Sequence, residues 1–275
     1  MLAWVSPLIS AELVVNVKNQ GGEVFQESIG ANVTDETINL KVQQPDGTYI
    51  TQFIDFRNEI QIINVMLLGE EEQREALYQV LCFVTHFKKT EFIPPDAMAK
   101  LRQKNPWTVR IPEKDLGKEN VTLDVLLDIT SSDWVSPHIK TVCSDAKDGT
   151  YAKREDLEAL LSSKLATGVS QGANINEVEG NSVEAHEHFL RAVKPFPIVQ
   201  QDCSSTKDLN KPCSCELELC IGWYPCALKY CRGRDTGTGS KSSPYRCGIH
   251  TCKLCRHHRY SVPRRFSCLS RLNSY

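Results

Sequence analysis

Cysteine is the residue of this chain with the plainest capacity for chemistry. There are twelve, and ten fall between Cys203 and Cys268. Cysteine at that density closes disulfides, holds zinc, or turns over in thiol–disulfide exchange. An even set in a short stretch points to a disulfide framework built in an oxidising compartment. The ten are Cys203, Cys213, Cys215, Cys220, Cys226, Cys231, Cys247, Cys252, Cys255 and Cys268. Spacing alone does not assign their pairing, since ten cysteines admit roughly 900 connectivities. The zinc alternative rests on Cys252-Lys-Leu-Cys255, with Cys247 and one of His250, His257 or His258 to complete a ligand set. The other cysteines show no repeated two-by-two spacing, so neither metal nor cofactor is expected. No βαβ pattern surrounds the Cys-x-x-Cys, which argues against a thioredoxin-like site.

The remaining two cysteines, Cys82 and Cys143, stand alone in the first half. The first lies in an apolar strand pattern and the second near the end of a helical one, so a bridge would pin helix to sheet. Closing a loop of that length is worth about 4 kcal/mol by chain entropy. Asp55 sits among apolar residues in Phe53-Ile-Asp-Phe56. Spacing favours a turn or edge carboxylate pointing to water. The alternative is a buried carboxylate with a raised pKa, able to act as a pH switch. Two N-glycosylation triplets, Asn32-Val-Thr34 and Asn120-Val-Thr122, agree with secretion. Lys253, Arg256, Arg259, Arg264, Arg265 and Arg271 make a basic run that suits a polyanion such as a glycosaminoglycan, or simply a solvated rim.

Charge divides the chain as the cysteines do. Residues 203–275 carry a balance of +9 and residues 1–202 one of −11. No stretch of 18 apolar residues occurs, so no transmembrane helix is expected. Residues 1–11 read as a short or truncated signal segment, although Pro7 interrupts it and basic residues are absent. Neither a nucleophile elbow, nor a zinc-protease motif, nor a phosphate loop is found, and no nucleic-acid motif is present. Enzymatic function and nucleic-acid binding are therefore not expected.

Alternating runs predict strands at Leu13–Lys18, Glu23–Ser28, Thr37–Val42, Thr48–Ile54, Ile60–Leu68, Leu77–Phe87 and Val121–Ile129. Gln44-Pro-Asp-Gly47 reads as the hairpin turn between the third and fourth. Helices are predicted over Pro94–Lys104, Asp133–Asp145, Arg154–Ala166 and Ser182–Val193. A polar segment, Gly168–Gly180, reads as a linker. The expected organisation is an α+β domain over 12–150, a helix and linker over 151–202, and a disulfide-rich module over 203–270.

The order Asp55-Phe56, Leu81-Cys-Phe-Val84, Pro94-Pro95 and Val142-Cys143 resembles a BRICHOS domain. By that resemblance Asp55, Cys82 and Cys143 match the family's one carboxylate and two cysteines. The implied fold is an antiparallel sheet flanked by two helices. Longer blocks resemble the Out at first proteins: Ala76–Thr85, Ile93–Pro106, Trp223–Cys231 and Pro244–Ile249. That family is secreted, with a BRICHOS-like front and a cysteine-rich back. Relative to its pattern Cys220 and Cys255 are extra, and are expected to pair with each other. The resemblance implies a secreted developmental protein. Its front would hold an extracellular β-prone client peptide as a chaperone does, and its back would recognise a partner. In the rival reading the front is only a scaffold for a signalling ligand or matrix factor.

Overall fold

The computed structural model describes residues 12–18, 21–69, 78–103, 105–170, 186–196, 199–232 and 243–269. Alternation of apolar and polar side chains builds its front. Strands β1 (Glu12–Lys18), β2 (Val24–Asn32), β3 (Thr37–Gln43), β4 (Tyr49–Asp55), β5 (Ile60–Leu68) and β6 (Tyr78–His86) form an antiparallel meander. Its β3–β4 turn is closed by Gly47 at φ 85° and by the bond from the Gly47 N–H to the Gln44 carbonyl at 3.0 Å. β7 (Val109–Arg110) lies parallel to β1. Beyond β6 come β10 (Thr150–Ala152), β9 (Val125–Leu127) and β11 (Val193–Pro195), completing a ten-stranded sheet.

The predicted helices shrink. Pro94–Lys104 gives one turn, α1 (Pro95–Met98). The Arg102 guanidinium bonds the Ala99 and Leu101 carbonyls, which a longer helix would need as acceptors for its next turn. Asp133–Asp145 likewise gives one turn, α2 (Ile139–Val142). Pro137 has no N–H to offer, and the Ser136 hydroxyl is turned to Asp55 instead. The expected pair of flanking helices is thus replaced by two short turns. The longest described helix is α3 (Arg154–Ser170), which runs into the segment expected to be linker. Residues 186–192 are also helical. Residues 1–11, most of the polar reversal after Gly69, most of the linker, and Arg271 lie outside the described residues.

The back of the chain is a long hairpin, β12 (Cys213–Cys231) with β13 (Tyr245–Val262). Its third strand comes from the front: β8 (Lys114–Leu123) pairs parallel with β13. The single strand predicted over Val121–Ile129 is in fact split between two sheets. At Asp124 the N–H turns to the Ala152 carbonyl at 3.1 Å, and Oδ1 accepts from the Arg154 N–H at 2.8 Å. The chain thereby leaves the β13 ladder for the main sheet.

One face of the main sheet carries Val15, Ile29, Leu40, Ile54, Val65 and Leu81, and buries them against Leu217, Trp223, Tyr260 and Val262 of the hairpin. The other face packs Ile62, Val84 and Val125 against Ile139, Leu157 and Phe189. The hairpin therefore lies on the sheet as its second layer and buries apolar area for both.

Candidate functional site

All twelve cysteines are consumed in six disulfides. Cys82–Cys143 joins β6 to the end of α2. Cys220–Cys255, Cys226–Cys252 and Cys231–Cys247 are three successive staples along the hairpin. Cys203–Cys213 and Cys215–Cys268 fasten the segments leading into and out of it. With every thiol bonded, the Cys247, Cys252, Cys255 and histidine grouping offers no thiolate ligand. Its histidines are placed otherwise. His250 Nδ1 lies 2.9 Å from Glu113, His257 lies 3.6 Å from Glu216, and His258 is buried in the core.

The seam between hairpin and sheet is polar at a few points. Between Ile221 and Tyr224 the β12–β13 register shifts, which takes the N–H groups of Gly222 and Trp223 out of the ladder. Glu27, fully buried on β2, accepts both: Oε1 from Gly222 at 2.8 Å and Oε2 from Trp223 at 3.1 Å. Burial pushes its carboxyl up to about 8, against the lowering effect of the two N–H donors. No side chain fits at position 222, where a Cβ would stand 2.8 Å from Val17 Cγ1 and 3.2 Å from Glu27 Oε1. Farther along the seam, Gln79 donates to the Ser267 carbonyl at 2.5 Å and accepts from the Leu269 N–H at 3.3 Å. His258 stacks on Phe83 at a centroid distance of 4.6 Å. Burial, followed by the charge of Arg256, drives its pKa down to about 3. The Leu217 and Arg256 backbones lie near the ring, but neither ring nitrogen reaches hydrogen-bond geometry.

Asp55 does not face water; it is buried at the end of β4. Its Oδ2 accepts from Ser136 Oγ at 2.6 Å and Asn58 Nδ2 at 2.8 Å, and its Oδ1 from the Asn58 N–H at 3.0 Å. Lys164 of α3 donates to Asn58 Oδ1 at 3.0 Å and to the Trp134 carbonyl. Burial pushes the Asp55 carboxyl up, but the Ser136 and Asn58 bonds and the nearby His138 outweigh it, and the net shift is downward. The raised pKa expected of a pH switch is therefore reversed, because desolvation is outbid by donors to the charged form. Asp55 ties β4 to the turn before α2 as an ionised anchor. Asp55→Asn is expected to cost about 2 kcal/mol, since its amide must face one of those donors. A carboxyl with a lowered folded pKa contributes stability that is present above its ordinary value of 3.8 and is lost as pH falls through the folded value. Chemical denaturation of both proteins through the acid range should show that component missing from Asp55→Asn.

The basic run is largely neutralised from within. Lys253 pairs with Asp115 at 3.7 Å. Arg256 is buried between Glu119 at 3.1 Å and Glu91 at 3.5 Å. Arg259 meets Asp202 at 2.6 Å. Arg264 is exposed and Arg265 half-exposed at the end of the hairpin. The five cations do not form one free basic face. Asn32 and Asn120 are both exposed. Asn32 Oδ1 caps the turn by accepting from the Thr34 and Asp35 N–H groups at 3.0 and 3.1 Å.

A family model described as Out at first matches residues 11–160. A second, described as Out at first, C-terminal, matches residues 202–272. The chain belongs to the Out at first family. The Out at first protein of Drosophila virilis is 43% identical over 274 residues, which cover 96% of this chain and 84% of that one. The Out at first protein of Drosophila melanogaster is 42% identical over 268 residues, covering 94% of this chain and 51% of that one. This chain thus spans about half the length of the second relative. No solved structure matches it. The Out at first fold described by this chain is sheet-rich, with few helices and a disulfide-rich back.

Proposed function

We propose that this Out at first protein is secreted and non-enzymatic, and that its BRICHOS-like sheet is a scaffold for a stapled recognition hairpin in developmental signalling. One observation carries the reading. The apolar face against which a chaperone-type sheet would hold a client is covered by the chain's own hairpin. The polar groups of that face are matched to hairpin backbone, Glu27 to Gly222 and Trp223, and Gln79 to Ser267 and Leu269. Such matching favours a permanent lining over a displaceable one, because removing it strands buried donors and acceptors. Export is supported by the complete disulfide set and the two exposed glycosylation triplets. Internal pairing of Lys253, Arg256 and Arg259 weakens the case for a glycosaminoglycan ligand.

The test is a fibril-formation assay with the intact, oxidised chain and a β-prone peptide. A substoichiometric amount should leave the lag time unchanged. Clear lengthening of the lag would overturn the scaffold reading and restore a client-binding role.

A further inference from the structure

The second face of the main sheet is covered over only part of its width. Ile62, Val84 and Val125 lie under Ile139, Leu157 and Phe189, and Phe53 packs at the margin of that cluster. Beyond Phe53 the same face opens as a groove of about 380 Å³. One cross-strand row runs through it: Glu12 pairs with Gly30, Gly30 with Asn39, and Asn39 with Phe53. Phe53 and His138, with ring centroids 4.8 Å apart, form one wall. Glu12 and Lys41, both exposed, stand on the side of β1 and β3. Gly30 is the floor. It lies within β2 and is not among the glycines of positive φ, so its backbone does not require glycine. What the missing side chain provides is room for something to approach the strand closely.

The chain carries its own candidate occupant at the end of this groove. Asn32 is exposed, opens the Asn32-Val-Thr34 triplet and lines the groove together with Asp35. It stands two residues beyond Gly30 on β2, so the two positions share a face at a spacing of about 7 Å. Asn32 Nδ2 donates to Asp35 Oδ2 at 2.7 Å, and Oδ1 is held by the Thr34 and Asp35 N–H groups, which fixes the carboxamide at the groove mouth. An N-linked sugar stands in place of one Nδ2 hydrogen and leaves the other for Asp35. The lining suits a pyranose. Its apolar C–H face matches the Phe53 and His138 wall, and its hydroxyls match Glu12, Asn39 and Lys41. Asn120 makes the contrast: its groove of about 250 Å³ is lined mainly by charged and polar side chains, with no Phe, Tyr or Trp among the described residues.

We infer that the groove over Gly30 seats the first N-acetylglucosamine residues of the chain's own glycan at Asn32. The inference rests on the export reading above and gives one of the two triplets a structural role. The sugars run from Asn32 across Gly30 with their apolar face on Phe53, and cover that part of the sheet as the helices cover the rest.

The test uses the intact chain secreted by cells that keep every glycan in the oligomannose form, so that one endoglycosidase cuts between the first two sugars at each site. Cleavage at Asn32 and at Asn120 is followed separately by glycopeptide mass. A seated glycan is cut only while it stands out of the groove, so native Asn32 should be cleaved at least about tenfold more slowly than after denaturation. Gly30→Val fills the floor with a side chain suited to a strand, and Phe53→Leu removes the ring while keeping apolar bulk. Each should raise the native rate at Asn32 by about tenfold and leave that at Asn120 unchanged. The seat is overturned by a bare Asn32, by equal native and denatured rates there, or by an unchanged Asn32 rate in both variants. A bare Asn32 beside a glycosylated Asn120 ends this inference and leaves the export reading standing.

Discussion

Glu27→Gln is expected to lose about 2 kcal/mol of stability near neutral pH, and with it the alkaline limb of the stability profile. The first loss follows from donor counting. Both Glu27 oxygens accept backbone N–H groups that the bulge in β12 has taken out of the ladder. A glutamine has one oxygen and one NH2 group. Whichever way it turns, the NH2 faces either Gly222 or Trp223, leaving a buried donor unpaired at about 1–3 kcal/mol. The second loss follows from linkage. The Glu27 carboxyl is raised from 4.5 to about 8 in the fold. Folding therefore takes up a proton in that window. The stability this confers is complete below the unfolded value and is lost as pH rises through the folded one, at about 1.4 kcal/mol per pH unit. Urea denaturation between about pH 6.5 and 8, above the range in which His258 titrates, should show the wild-type midpoint falling as pH rises and the Glu27→Gln midpoint level. Equal slopes in the two proteins would mean that Glu27 stays ionised at neutral pH and that its two N–H donors outweigh burial.

Glu27 also shows what sequence could and could not reveal. The alternation that predicts β2 places Glu27 on the same side as Phe25 and Ile29. An acid on the apolar side of a strand is a signal of a buried partner, and Gln79, on the side of Leu81 and Phe83, is another. The partners themselves were illegible. They are main-chain groups almost two hundred residues away, exposed by a bulge that no residue type announces. The meander β1–β6 was legible because one sheet face is buried and period-two patterning fixes it. The break at Asp124 was not, because the alternation of Val121–Val125 runs straight through it and only long-range pairing decides which sheet each half joins. The two flanking helices failed for local reasons: Arg102 takes the Ala99 and Leu101 carbonyls after the first turn of one, and Ser136 and Pro137 start the other without propagating it. The basic run misled because spacing counts cations and does not see the carboxylates that β8 brings beside them.

His258→Phe should have the opposite effect on the profile, extending stability into acid. The ring is wholly buried, lies nearly parallel to Phe83 at an interplanar angle of 12°, and engages neither nitrogen in a hydrogen bond. Its pKa falls from 6.5 to about 3 in the fold. For a base lowered in this way, the unfolded chain takes a proton that the native chain refuses. The stability it contributes is therefore present above 6.5 and is lost as pH falls towards 3, by about 4–5 kcal/mol in all. Between about pH 4.5 and 6.5 this slope and that of Glu27 run in opposite directions and cancel, which predicts a flat maximum there. Phenylalanine keeps the stacking on Phe83 and removes two unpartnered nitrogens, while its extra volume costs about 1–3 kcal/mol. Near pH 7 those effects offset, and the variant should melt close to wild type. Below about pH 6.5 the curves should separate: the wild type holds level to about 4.5 and then falls steeply, while His258→Phe gains stability along the Glu27 slope to about 4.5 and below it follows only the shallower loss of Asp55 and the other carboxylates. If the two proteins fall together, the imidazole is already charged in the native seam and some acceptor reaches it when the pH drops. If they part, the seam is held shut by a histidine that folding keeps neutral, and the acid limit of the hairpin's attachment to the sheet is set at that one ring.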